Sequence, residues 1–314
     1  MHILPYVLVN GYTLDQLSVF DRGFAYGDGL FETLLIHHGE FSLWPQHKAR
    51  LIHGCLQLAI PCPLEDIEND LQLIGRYLAE NNLLSTDHIL KIIVSRGVGT
   101  RGYKAPRPQR STRVVALLPS PDYPEANTEG VHVRLCETRL SRNQKLAGLK
   151  HLNRLEQVLA RMEWDDESIA EGLMMDEFDK LIEGTSSNLF LVTPGKKLVT
   201  PHLTYSGVKG VMRQFIVETI APALGVECID AEVSLHDLNA ADEVFICNSV
   251  FGVWPVVSLL GTSLQKSQQE NNQQQEDQHK NRHLNGTKHW HKGSITSLIQ
   301  AQVFSALGKN NHAG

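Results

Sequence analysis

AGLKHLNRLEQVLARMEW, residues 147–164, is the stretch on which the reading of this chain turns. Leu155, Val158, Leu159 and Met162 recur at spacings of three and four, which predicts a helix over 152–163 with that face buried. Lys150 stands just ahead of the face, behind Ala-Gly-Leu. A lysine there is either a solvated charge, the usual state of the residue, or a buried amine with a chemical task.

Working outward, the chain after this helix is rich in strand-like runs. VHVRLCE (131–137) lies before it, and GLMMD (172–176), NLFLV (188–192), KLVT (197–200) and DEVFICN (242–248) after it. A helix is expected at about 209–224 and another over 294–307, the latter with Ile295, Leu298, Ile299 and Val303 on one face. Upstream, residues 7–9, 31–36 and 41–43 read as short strands, with Asn10-Gly11 and His38-Gly39 as turns between them. Helices follow over 46–59, burying Leu51, Ile52, Cys55, Leu58 and Ala59, and over 64–83, burying Ile67, Leu71, Ile74 and Leu78. ILKIIVS (89–95) and TRVVALL (112–118) are strands on either side of an Arg/Gly/Pro-rich loop. The expected organisation is therefore α+β in two domains: a small one over 1–118, a proline-rich linker over 119–125, and a larger strand-rich domain over 126–314.

Within the larger domain, 263–293 is rich in Gln and Asn and nearly free of apolar residues. Such a segment cannot bury enough surface to offset its ordering entropy and is expected to be a solvated insertion. His279, His283, His289 and His291 are the alternative reading, a metal site. No metal is expected.

The chain has 314 residues, 42% hydrophobic and 20% charged, with a formal net charge of −6. Nothing in that balance points to nucleic acid or an anionic membrane as partner. MHILPYVLVNGY lacks the basic stretch and apolar run of a secretory leader, and no run has the roughly 20 apolar residues of a membrane span. Cys55, Cys62, Cys136, Cys228 and Cys247 form no CxxC pair and suit reduced thiols in a cytoplasmic protein.

Three further stretches bear on chemistry. In YSGVKGVMRQFIVETI (205–220), Gly207 and Gly210 lead straight into a helix, an arrangement that is either a structural turn or an anion cup built from unpaired N–H groups. In LIEGTSSNLFLV (181–192), Glu183 and a run of hydroxyls either make a plain hairpin or set an acid against a basic ring nitrogen, with Thr185, Ser186 and Ser187 lining an anion site. In HKARL (47–51), Arg50 is solvated or, if it points inward, needs an anion. A phosphorylated pyridine aldehyde would need all of these at once: a lysine for its Schiff base, an anion cup, an arginine, and a carboxylate that keeps the ring nitrogen protonated.

FDRGFAYGDGLFET, HKARL, SRGVGTRGY, GLKHLNRLEQVLAR, EGTSSNLF and GVKGVMRQF occur in that order. Across roughly 7–257 the chain resembles the fold-type IV (aminotransferase class IV) pyridoxal-phosphate enzymes. These include D-amino-acid and branched-chain aminotransferases and 4-amino-4-deoxychorismate lyases, and KHLNRLEQ and SRGVGTRGY resemble the lyase branch. The resemblance implies pyridoxal 5'-phosphate as cofactor, with Lys150 as its Schiff-base lysine and Glu183 as partner of its ring nitrogen. It implies Arg50, Ser187, Asn188, the backbone of Val211 and Met212, and Asn248 and Ser249 around the cofactor. It places Thr33 near the reacting carbon, and makes Arg96 and Arg101 candidates for the carboxylates of a dianionic substrate, aminodeoxychorismate. It further implies a homodimer. The alternative activity is that of a D-amino-acid or branched-chain aminotransferase.

Overall fold

The structure, a computed structural model, describes residues 4–260 and 287–308. Its first part is a six-stranded antiparallel sheet. The strands are β1 (Tyr6–Val9), β2 (Tyr12–Thr13), β3 (Gly29–His37), β4 (Glu40–Phe41), β5 (His88–Ser95) and β6 (Thr112–Pro119), in the order β2-β1-β6-β5-β3-β4. A one-turn helix, α1 (Arg22–Tyr26), precedes β3, and α2 (Trp44–Leu58) and α3 (Leu64–Glu80) lie between β4 and β5. Alternation decides which face they cover. Leu34 and Ile36, Leu90 and Ile92, and Val115 and Leu117 point to one side, where they meet Leu51 and Cys55 of α2 and Ile67, Leu71, Ile74 and Leu78 of α3 in one core. Pro45 in the first turn of α2 supplies a preset φ where no intrahelical N–H bond is needed. Glu65 and Asp66 oppose the positive end of α3.

The second sheet has nine strands. They are β7 (Val131–Leu140), β8 (Ile169–Asp176), β9 (Leu181–Gly184), β10 (Asn188–Val192), β11 (Leu198–Pro201), β12 (Cys228–Ala231), β13 (Glu243–Asn248), β14 (Gly252–Leu260) and β15 (Lys288–His289). The order is β12-β11-β10-β13-β14-β7-β8-β9, with β15 paired to β14. β10 is buried along its whole length, so both of its faces are covered. On one side Phe190 and Phe245 stack at 4.9 Å beneath a helical stretch. That stretch runs from α5 (Val211–Phe215) through a π turn (Ile216–Ile220) into α6 (Ala221–Ala223). The last helix, after α4 (Leu155–Arg161) and α7 (Leu235–Ala240), is α8 (Ser294–Ala306); it adds Ile295, Ile299 and Val303 to that layer.

Lys150 sits where the two sheets are stitched together. Leu30 of β3 bridges His151, and Gly148 bridges Val208 on the far side. The Phe31 N–H donates to the Lys150 carbonyl at 2.9 Å, and Leu149 is buried in the first core.

Four expectations are corrected. The apolar stripe of α4 is not buried: Leu155, Val158, Leu159 and Met162 are 75%, 51%, 54% and 73% exposed, and Ala160 is the residue the helix buries. The helix is only seven residues long and rests on β7 and β8 by its other side, so the stripe is left uncovered, with Val158 and Met162 at the wall of the cavity described below. Ile52, on the outer side of α2, and Ala59, just past its end, are likewise exposed. Leu298 is the exposed member of the α8 face. The insertion is shorter than its composition suggests: Lys288 and His289 pair with β14, Trp290 is buried, and Lys292 reaches Glu129 at 3.0 Å. Residues 263–286, with His279 and His283, lie outside the described residues. Among the described residues no cluster of potential metal ligands occurs, and no helix is long and apolar enough to cross a membrane. The five cysteines are free thiols.

Candidate active site

A cavity of about 840 Å³ opens between the sheets. Lys150, Glu183, Thr33, Arg50, Ser187, Asn188, Val211, Met212, Asn248 and Ser249 all line it. Arg96 and Arg101 do not. The Arg96 guanidinium is already satisfied, bidentate on Asp28 at 2.8 and 3.0 Å and donating to the Ala59 and Leu58 carbonyls and to Gln109. It holds the 96–110 loop in place and has no fork left for a substrate. Arg101 is exposed on that loop, away from the cavity.

The lysine is half-buried, as part of the cavity wall, and its Nζ lies over the Phe31 ring at 4.4 Å. Burial, helped by the nearby Arg50 charge, lowers its pKa to about 8, against the opposing pull of Glu32 and Glu183. Across the cavity Glu183 is buried at the end of β9. Its Oε2 accepts from the Val208 N–H at 2.8 Å, and Oε1 has no partner among the described residues. Burial raises its pKa to about 7, although the Val208 hydrogen bond, Arg154 and Lys150 work against that. A carboxylate so placed gains from a cationic neighbour such as a protonated ring nitrogen.

Gly207 allows this approach: it has φ +81°, and a Cβ there would sit 2.7 Å from Ile182 Cγ2 and 3.3 Å from Glu183 Oε2. Gly210 then caps α5 while a Cβ on it would overlap Asn188 Oδ1 at 1.9 Å. The Asn188 amide in turn donates to the Val208 carbonyl at 2.9 Å. The result presents the first N–H groups of the helix, those of Val211 and Met212, to the cavity.

Arg50 does point inward, and the anion it requires is Glu32. Arg50 Nε and Nη2 form a fork on the Glu32 carboxylate, and Nη1 donates to the Lys209 carbonyl at 3.0 Å. His47 completes the cluster, its Nδ1 2.6 Å from Glu32. Burial alone would raise the pKa of Glu32, but Arg50 and His47 outweigh it and hold it at about 2. The guanidinium is thereby fixed in the cavity wall, close to the residues that open α5.

Besides Glu32, two residues of the site carry no obvious mark in the sequence. Glu171 of β8 is buried and accepts six hydrogen bonds. Oε1 takes the Gly172 and Thr185 N–H groups and the Thr185 hydroxyl; Oε2 takes the Ser186 N–H and the Ser186 and Ser187 hydroxyls. The hydroxyls of the 185–187 turn therefore donate to Glu171, and their part in the site is to shape its wall. A charged residue inside the apolar strand IAEGLMMD was the available signal. The other residue is Arg154, which lines the cavity close to Lys150.

The cavity thus brings together an easily neutralised amine, a buried acid and an arginine beside a helix N-terminus. Residues 29–259 match the amino-transferase class IV family model, so the chain belongs to the aminotransferase class IV family. The cofactor of that family is pyridoxal phosphate, and the donor set of the cavity fits it. Within the family, the chain is 36% identical over 249 residues to the aminodeoxychorismate lyase of Vibrio harveyi, covering 79% of this chain and 89% of that protein. It is 30% identical over 267 residues to a putative branched-chain-amino-acid aminotransferase of Methanocaldococcus jannaschii, covering 83% and 90%. The crystal structure of 4-amino-4-deoxychorismate lyase from Pseudomonas aeruginosa superposes with a TM-score of 0.80 at 42% identity, covering 95% of this chain and 98% of that one.

Proposed function

We propose that this chain is a pyridoxal-phosphate-dependent aminodeoxychorismate lyase, releasing 4-aminobenzoate and pyruvate from 4-amino-4-deoxychorismate in folate biosynthesis. The observation that carries the reading is the shared cavity of Lys150, Glu183, Arg50 and the N-terminus of α5, in a chain 36–42% identical to lyases of that name.

The cofactor, when bound, supplies a ring that accepts the electron pair left when the substrate's amine-bearing carbon loses its proton. The protein's residues do the rest. Lys150, with a pKa near 8, is neutral often enough near neutral pH to attack the aldehyde and then to take that proton. Glu183 holds the ring nitrogen protonated. Arg50, the α5 N–H groups and Ser249 hold the phosphate, Asn188 and Asn248 brace the wall, and Thr33 stands at the reacting carbon. Loss of the enolpyruvyl group through its C–O bond would leave an aromatic ring, which makes the reaction strongly downhill, and the departing enolpyruvate would take up a proton to become pyruvate. The test is the formation of 4-aminobenzoate, followed by fluorescence, from enzymatically made aminodeoxychorismate.

A second reading, a D-amino-acid or branched-chain aminotransferase, draws support from the Methanocaldococcus relative. Mixing the holoenzyme with an amino acid and 2-oxoglutarate separates the two: rapid conversion of the bound cofactor to its amine form would favour the aminotransferase.

We also propose a cytoplasmic homodimer of two-domain subunits, 1–118 and 126–314. The exposed stripe Leu155, Val158, Leu159 and Met162 on α4 supports this, as do Phe20, Phe24 and Tyr103, 69%, 74% and 85% exposed, around the 96–110 loop. Arg101, outside its own cavity, would meet substrate only across such an interface. We expect no nucleic-acid or membrane partner.

A further inference from the structure

Arg50 and Lys150 are two of the cations that line the cavity. Two more arginines line it, Arg154 and Arg161. Arg161 is spoken for: it is exposed, lies over the Trp164 ring at 4.5 Å and donates to the Trp164 carbonyl at 2.7 Å. Arg154 is different. It is partly buried; its Nε donates to the His151 carbonyl at 2.8 Å and its Nη2 to the Leu149 carbonyl at 3.2 Å. Those carbonyls belong to the residues on either side of Lys150, so the guanidinium is pinned to the backbone that carries the reactive amine. Among the described residues Nη1 has no hydrogen-bond partner, and no carboxylate is bonded to the group. A guanidinium held in a cavity wall with only carbonyls for company calls for an anion.

The edges of the cofactor narrow which anion. Lys150 marks the aldehyde carbon, Glu183 the ring nitrogen, and Arg50 with the α5 N–H groups the phosphate edge. The remaining edge, next to the aldehyde carbon and on the side away from the phosphate, carries the phenolic oxygen. We infer that Arg154 donates a hydrogen bond from Nη1 to the phenolic oxygen of pyridoxal phosphate and keeps that oxygen anionic. This rests on the cofactor assignment and not on which substrate the enzyme takes.

The charged groups acting on Arg154 are Glu183 from β9, Glu156 from α4 and Arg50 from α2. Those acting on Lys150 are Arg50, Glu32, Arg154 and Glu183. Of these, Arg154 is the cation anchored to both neighbours of Lys150. Its charge favours loss of the proton from the nitrogen joining Lys150 to the cofactor, because the phenolate left behind is stabilised.

The test needs no substrate, so its outcome is separate from that of the lyase assay. Holoenzyme with wild-type sequence, Arg154→Gln and Arg154→Lys is titrated with pH while the cofactor's visible absorption band is followed. Replacing a charge in direct contact shifts a neighbouring pKa by about one to three units, so Arg154→Gln is expected to raise the midpoint by about one unit or more. Arg154→Lys is expected to recover at least half of that shift. A Gln variant with bound cofactor and a midpoint within about 0.3 units of wild type would overturn the inference, given that range. Should the Gln variant not fold, wild-type apoprotein is offered the cofactor analogue lacking the phenolic oxygen. Binding about tenfold weaker or worse, a difference of about 1.4 kcal/mol, supports the contact, and equal affinity overturns it.

Discussion

Glu171→Gln is a demanding perturbation because it changes one atom in a buried group with six donors. The amide oxygen can replace only one carboxylate oxygen. Placed at Oε1 it keeps the Gly172 and Thr185 N–H groups, which cannot turn away; the NH₂ then faces the Ser186 N–H and two hydroxyls. The hydroxyls can rotate and accept. The Ser186 N–H cannot, and a buried donor left without a partner costs about 1–3 kcal/mol. The three retained bonds lose their charge assistance, roughly 1 kcal/mol each, partly offset because no charge is now buried. The expected loss is about 3 kcal/mol, which in a chain of this size lowers Tm by roughly 6–12 °C. Thermal unfolding of the apoprotein measures it directly. The pyridoxal-phosphate complex should show a larger deficit, since the 185–187 turn forms the cavity wall. A Tm within about 2 °C of wild type, less than 1 kcal/mol on the same scale, would mean that the carboxylate does not organise the turn.

Other predictions follow the same geometry. The rate at which apoprotein takes up pyridoxal phosphate should rise with pH to a midpoint near 8, the pKa of Lys150, rather than near 10.5. With its folded pKa below the unfolded one, Lys150 makes a stability contribution that grows as pH rises from about 8 to 10.5 and is absent below that window; stopped-flow absorbance and pH-dependent unfolding read the two effects. Glu32→Gln removes the fork that aims Arg50, and losing a charge-assisted bond of about 1.5–3 kcal/mol should weaken cofactor binding roughly 10- to 100-fold in an absorbance titration; unchanged affinity would remove Arg50 from the phosphate. Gly207→Ala must adopt φ +81° with its Cβ 2.7 Å from Ile182, so a loss of about 2–4 kcal/mol in chemical unfolding is expected, and a neutral result would contradict the close approach of that turn to Glu183. Leu159→Glu with Met162→Glu should lower the mass seen by sedimentation from dimer to monomer if the α4 stripe is an interface between copies.

Much of the fold was legible because its signals were local. Alternating β3, β5 and β6 and the long periodic faces of α2 and α3 each carry their own pattern, and the structure differs from it by a few residues at the ends. β14 was not legible: Pro255 lies within it, opposite Phe245 of β13, and a proline argues against a strand interior. The stripe on α4 was legible as apolar but not as uncovered, since periodicity tells which residues share a face and not what covers it. In the site, Lys150, Glu183, Arg50 and the glycines before α5 announced themselves by residue type at a turn or helix end. Glu32, Glu171 and Arg154 did not, because each acts through partners 14 or more residues away or through backbone carbonyls that no side-chain pattern encodes. Arg96 shows the converse: its residue type and loop position suited a substrate ligand, and only its contact with Asp28, 68 residues away, reveals a structural role.

The most direct measurement is turnover of enzymatically made 4-amino-4-deoxychorismate by the holoenzyme and by Lys150→Ala, with 4-aminobenzoate followed by its fluorescence. The account predicts 4-aminobenzoate and pyruvate in equal amounts from the wild type, and from the variant neither product nor the visible band of lysine-bound cofactor. Undiminished 4-aminobenzoate formation by the variant, or none by a wild type that carries its cofactor, would contradict it.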